Sequence, residues 1–120
     1  SEAKGNILVV DDEDIIRKST QRLLQILGYT ALVAENGLTA IEIFKKNKDG
    51  ISLVILDQVM PVMDGVEAVK QIKAFDAGAK IIMMSALNQK EMVLTAIKNG
   101  ALNYLLKPVT KEKLLATAER

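Results

Sequence analysis

Short apolar runs alternate along this chain with longer stretches in which apolar residues recur every three or four positions. The runs lie at Asn6 to Val10 (NILVV), Tyr29 to Ala34 (YTALVA), Leu53 to Leu56 (LVIL), Lys80 to Met84 (KIIMM) and Asn103 to Leu106 (NYLL). Each is short enough for a strand, and those without a polar alternation fit strands covered on both faces. Between them the period changes to that of a helix. Ile16, Leu23, Leu24 and Leu27 keep helical spacing up to Gly28, and Asp12, Glu13 or Asp14 could cap that helix. A second stripe runs through Leu38, Ala40, Ile41 and Phe44 after the Asn36-Gly37 turn, with Lys45, Lys46 and Lys48 on its solvated side and Asp49-Gly50 closing it. A third uses Val66, Ala68, Val69 and Ile72 and ends near Phe75, with Gly78 in the connection. The fourth spans about Gln89 to Asn99 on Val93, Ala96 and Ile97, with Gly100 at its C′ position. The last starts at Thr110, a good N-cap, and points Leu114, Leu115 and Ala118 inward.

Strictly alternating strands and helices joined by short connections imply parallel strands, right-handed crossovers and helices on both faces of one sheet. The fold class is therefore α/β, a single doubly wound (βα)5 domain. At 120 residues the chain makes one domain, with an ordered core expected over roughly residues 5–119 and no output domain.

Composition narrows the chemistry. A net charge of +1 argues against direct, non-specific binding of nucleic acid or of an anionic membrane, and no apolar run reaches membrane-spanning length. The absence of cysteine excludes disulfides and thiolate metal sites and suits a reducing compartment such as the cytoplasm. With no histidine, any metal must be held by oxygen. Met83, Met84 and Met92 read as core filler.

The polar residues that end the strands carry the chemistry. Asp11 and Asp12 follow the first strand, Asp57 the third, Ser85 the fourth and Lys107 the fifth, so a parallel sheet brings them to one edge. Clustered carboxylates repel in a partly dehydrated cleft and are tolerable with a cation among them, for which Mg²⁺ or a similar hard ion is the natural choice. A carboxylate nucleophile, a metal, a lysine and a hydroxyl together suit phosphoryl transfer. Singly, each has a plainer reading: the first two aspartates as helix caps, Ser85 as loop chemistry, Lys107 as a solvated lysine.

Taken together, DD after the first strand, LDxxMPxMDG at the third, SA after the fourth and KP after the fifth resemble a response-regulator receiver domain of two-component signalling, across essentially the whole chain. The resemblance implies a flavodoxin-like sheet of order 2-1-3-4-5. It implies a signalling switch rather than an enzyme, with Asp57 as phosphoacceptor from a sensor histidine kinase or histidine phosphotransfer protein. Mg²⁺ would be held by Asp12, Asp57 and the backbone carbonyl of Val59, with Asp11 acting through water. Lys107 would pair with a phosphoryl oxygen, Ser85 would donate its hydroxyl to the acyl phosphate, and Tyr104 matches the aromatic that turns inward in the active state. The Lys107-Pro108 peptide is commonly cis in this family. A downstream protein would dock on the surface of the fourth helix, fifth strand and fifth helix. There the exposed Leu94 hints at dimerisation of an otherwise monomeric chain. Val59 and Leu87 stand where receivers tune the lifetime of the phosphoryl group, and being apolar they cannot hold an attacking water, which implies slow autodephosphorylation.

Two other readings are disfavoured. An aspartyl-phosphate phosphohydrolase of the haloacid-dehalogenase type needs a second Asp where Val59 stands, and a flavin-binding protein needs a hydroxyl- and glycine-rich loop where this chain has four acidic residues.

Overall fold

The computed structural model describes residues 5–58, 60, 62–86 and 89–118. Its elements are β1 (Asn6–Val10), α1 (Asp14–Ile26), β2 (Thr30–Ala34), α2 (Gly37–Lys46), β3 (Ile51–Asp57), α3 (Gly65–Phe75), β4 (Ile81–Ser85), α4 (Lys90–Lys98), β5 (Asn103–Leu106) and α5 (Lys111–Ala118), with a 3-10 turn at Lys48–Gly50 before β3. The five strands pair in parallel in the order β2-β1-β3-β4-β5. This is the doubly wound, flavodoxin-like arrangement expected from the alternation of elements and from the resemblance.

Alternation along the strands builds two cores. Leu8 and Val10 of β1, Val54 and Leu56 of β3, and Ile81 and Met83 of β4 face one side, where Ile41, Phe44, Val69, Ile72 and Ala96 of α2, α3 and α4 cover them. Ile7, Val9, Leu53, Ile55, Ile82 and Met84 face the other side, against Leu24 of α1 and Leu114 of α5. A period of two in β1, β3 and β4, buried on both faces, is why these strands are apolar at nearly every position.

Helix ends follow local chemistry. The Asn36 side chain accepts from the Thr39 N–H, Asp64 accepts from Glu67, and the Thr110 hydroxyl accepts from Lys113, so three helices begin at side-chain caps. Gly28 and Gly100 have φ of 99° and 118°, the left-handed geometry expected after a helix. The expected cap of α1 does not form. Glu13 occupies the N-cap position without a side-chain bond, and its own N–H is taken by Asp11 Oδ1 at 2.9 Å.

Three apolar residues expected inside lie outside. Leu38, Met92 and Leu115 are all more than two-fifths exposed, because the buried stripes of α2, α4 and α5 pass through Gly37, Val93 and Leu114 instead. A residue one position from a stripe is turned about 100° around the helix. Thr20 is buried in α1, although its polar side chain gave no sign of it. The Ala118 side chain, also expected inward, is outside the described set.

Candidate functional site

All five strands run the same way, so the residues that follow them share the carboxyl edge of the sheet. β1 and β3 are neighbours there while their connections leave to opposite faces, which opens a crevice between them. Asp11 sits at the end of β1, its N–H bound to the Ala34 carbonyl at 3.1 Å, and is wholly buried. Asp57 ends β3 and is 3% exposed. Asp12 is exposed beside them, and one carboxylate oxygen of each of the three lies within 4.8 Å of the others. Lys107 follows β5, its backbone N–H held by the Ser85 carbonyl at 2.8 Å. Its ammonium is 3.1 Å from Asp57 Oδ1, 3.3 Å from Asp11 Oδ2 and 3.8 Å from Glu13. The Lys107-Pro108 peptide that shapes this corner is cis.

The charges shift one another. Burial, then the negative charge of Asp11, pushes the Asp57 carboxyl up to about 6, while Lys107 acts in the opposite direction. Burial disfavours the Lys107 ammonium, but Asp57 and Asp11 outweigh it and raise its pKa. At neutral pH the site therefore holds an ionised, poorly hydrated carboxylate against a lysine that stays charged.

One oxygen in this cluster is incompletely served. Asp11 Oδ2 is buried, and among the described residues its one cationic neighbour is the Lys107 ammonium at 3.3 Å, with no well-directed hydrogen-bond donor. An under-coordinated, buried carboxylate oxygen beside two more carboxylates, with no nitrogen or sulfur ligand, fits a hard divalent cation.

Ser85, buried at the end of β4, lines a cavity of about 200 Å³ together with Lys90, Val93 and Leu94 of α4 and Tyr104 and Leu106 of β5. Tyr104 is 44% exposed and stands at the outer side of this space. Val59 and Leu87, expected at the metal and at the phosphoryl lifetime positions, lie outside the described residues.

Some neighbours of the site are not evident from strand-end motifs. Arg17 donates to the Asp11 carbonyl at 2.8 Å and to Asp14 at 2.6 Å, so α1 is tied to the loop it follows. Its spacing of three from Asp14 was the available signal. Gly65, the first residue of α3, lies against the strand end: a Cβ there would come 2.9 Å from the Asp57 carbonyl oxygen and 2.7 Å from Met83 Cε. Gln58, next to Asp57, has a completely buried side chain, marked in the sequence only as an amide within an apolar run.

Comparison with known proteins agrees with this architecture. The family model of the response regulator receiver domain matches residues 7–119. The chain is 41% identical over 110 residues to the chemotaxis protein CheY of Bacillus subtilis, covering 91% of this chain and 90% of that one. Among solved structures, a receiver domain protein from Clostridium thermocellum superposes with a TM-score of 0.92 at 32% identity, covering 96% of this chain and 91% of that one. A chain of a CheX-CheY-BeF3-Mg²⁺ complex from Borrelia burgdorferi superposes at 0.90 with 31% identity, covering 97% of this chain and 87% of that one. With sheet order, strand-end chemistry and similarity over nearly its whole length in agreement, the chain belongs to the response regulator receiver domain family.

Proposed function

We propose that this domain is a two-component switch that accepts a phosphoryl group on Asp57 from a phosphohistidine of a sensor histidine kinase or phosphotransfer protein. The observation that carries the reading is the buried Asp57 carboxyl paired with Lys107 at 3.1 Å beside Asp11 and Asp12. In the transfer, a carboxylate oxygen of Asp57 forms a bond to phosphorus as the bond from phosphorus to the imidazole nitrogen breaks, and the electron pair of that bond leaves with the imidazole. Lys107 pairs with a phosphoryl oxygen, replacing part of its contact with Asp57. Asp11, Asp12 and Asp57, with the Val59 carbonyl, are the residues that would hold Mg²⁺, which when bound neutralises charge on the transferring oxygens.

The acyl phosphate adds charge and strong acceptors at the sheet edge. Ser85 donates its hydroxyl to it, and Tyr104 moves into the cavity beside Ser85. The outer surface of α4, β5 and α5 changes with that move. Met92, Leu94, Tyr104 and Leu115 are exposed on these elements, apolar area suited to a downstream protein or to dimerisation of a monomer on phosphorylation. The proposed place of action is the cytoplasm, through contacts with a partner or an output domain rather than through direct contact with nucleic acid or membrane; no helix among the described residues is long and apolar enough to cross a membrane.

The test is intact mass after incubation with acetyl phosphate and Mg²⁺. One phosphoryl mass is expected, dependent on the metal and lost in Asp57→Ala; retention of the added mass in that variant would displace Asp57 as acceptor. Apolar side chains at Val59 and Leu87 give the proposed phosphoprotein a slow autodephosphorylation. Val59→Asn with Leu87→Glu is expected to speed phosphate release by about tenfold or more, within the usual contribution of a positioned polar group. An unchanged decay would remove these positions from the control of lifetime.

A further inference from the structure

Gln58 is the residue of the site whose position has no use in the switch described so far. Its side chain is completely buried, and neither Oε1 nor Nε2 has a hydrogen-bond partner among the described residues. Its backbone, in contrast, is fully engaged: the N–H donates to Met84 at 3.0 Å, and the carbonyl accepts from Gly65 at 2.9 Å. Gly65 closes over it so tightly that a Cβ there would come 2.9 Å from Gln58 Cα. A buried primary amide offers two donors and two acceptor sites, and leaving even one unmet costs about tenfold in an equilibrium constant.

The strand register says what lies beside that amide. The Val54 N–H donates to Lys80 where Val54 pairs with Ile81. By the same relation, the Gln58 N–H donating to Met84 sets Gln58 opposite Ser85, one step beyond the last ladder pair, Asp57 with Met84. Val54, Leu56, Ile81 and Met83 all face the α2, α3 and α4 side, so the pleat carries Gln58 and Ser85 to that same side on adjacent strands, roughly 4.8 Å apart along the pairing direction. Gln58 and Ser85 are thus lateral neighbours on β3 and β4, with their side chains on one side of the sheet.

We propose that Gln58 is a positioning residue for Ser85, an inference that rests on the phosphoacceptor role of Asp57. A serine hydroxyl has one donor and two acceptor sites. When Ser85 gives its proton to a phosphoryl oxygen, its rotor is set and its lone pairs turn outward. Gln58 Nε2 then donates to Ser85 Oγ, forming a chain from amide to hydroxyl to phosphoryl oxygen in which each bond polarises the next. The unmet amide penalises the resting arrangement, and its satisfaction favours the phosphorylated one, so the residue beside the acceptor sets the bias of the switch.

The experiment is a titration with beryllium fluoride, an acyl-phosphate mimic, in fixed MgCl2, followed by the thermal unfolding midpoint. It compares wild type, Gln58→Met, Ser85→Ala and the double variant. Methionine keeps the length and flexibility of the side chain and removes its hydrogen bonding. The expected results are a higher midpoint for unliganded Gln58→Met and a half-saturating beryllium fluoride concentration raised by about fivefold to tenfold. In the Ser85→Ala background, Gln58→Met should add no further shift, because the amide acts through the hydroxyl. Unaltered half-saturation in Gln58→Met would overturn the proposal, as would equal shifts with and without Ser85. A lower unliganded midpoint would also overturn it, since the amide would then be satisfied in the resting protein. If the wild type itself shows no response to beryllium fluoride and Mg²⁺, the acceptor reading falls and this inference falls with it.

Discussion

Asp57 works against the stability of the fold that holds it. In the unfolded chain its carboxyl would titrate near 3.9, whereas in the folded protein burial and Asp11 push it up to about 6. Between those values the native state keeps a proton that the unfolded state has released, so stability falls as pH rises through that window and the full penalty applies above it. The difference is at most about 3 kcal/mol. Asp57→Asn in metal-free protein is therefore expected to raise stability to urea at pH 7.5, with the gain shrinking towards zero by pH 4. A gain that stays constant across that range would mean the charge is not its source. The same neighbourhood contains backbone in an uncommon region: Val62, exposed in the loop between β3 and α3, has φ of 73°, which costs a β-branched residue about 1 to 2 kcal/mol. Neither feature can be read from residue type alone. The raised carboxyl depends first on how deeply Asp57 is buried and then on how close Asp11 comes, and nothing in the sequence marks a valine for left-handed backbone.

The elements position the chemistry through their ends. Apolar runs and cap residues marked nearly every strand and helix to within a residue or two: β5 has the limits expected, while β2 and β4 begin one residue later because Tyr29 and Lys80 precede the ladder. Faces were harder. Leu38, Met92 and Leu115 each sit one position from a buried stripe, and a short helix carries too few turns for spacing to decide which of two adjacent apolar residues turns inward. Close approach of elements is likewise invisible in spacing. Gly65 opens α3 against the Asp57 carbonyl and Gln58 Cα, backbone atoms that cannot swing away, whereas Gly37 meets only the Met63 side chain. Gly65→Ala is expected to destabilise by about 1 to 3 kcal/mol and to slow phosphorylation by acetyl phosphate at least tenfold. Gly37→Ala should cost less and leave the rate nearly unchanged. Equal kinetic effects from the two would mean that contact with the acceptor strand is not what matters.

For the whole molecule, parallel topology concentrates like charge at one edge of the sheet, with Lys107 the basic residue paired to Asp11 and Asp57. A hard cation that binds only the folded chain should therefore stabilise it, by about 1.4 kcal/mol at tenfold its dissociation constant, or several degrees in a domain of this size. Addition of MgCl2 at constant ionic strength is expected to raise the unfolding midpoint of wild type and much less that of Asp11→Asn; equal shifts would indicate a salt effect unrelated to the site. The sequence by itself determined the fold class, the order of the elements and which residues stand at strand ends, because buried parallel strands must be apolar throughout and must stop where polar groups begin. The resemblance added the strand order. Only the tertiary structure decided the placements: Lys107 between Asp57 and Asp11, the buried Asp11 oxygen without a well-directed donor, Gln58 opposite Ser85 across β3 and β4. Those depend on register across strands far apart in sequence and on how closely α3 seats on β3, and such relations arise only when the whole sheet is packed.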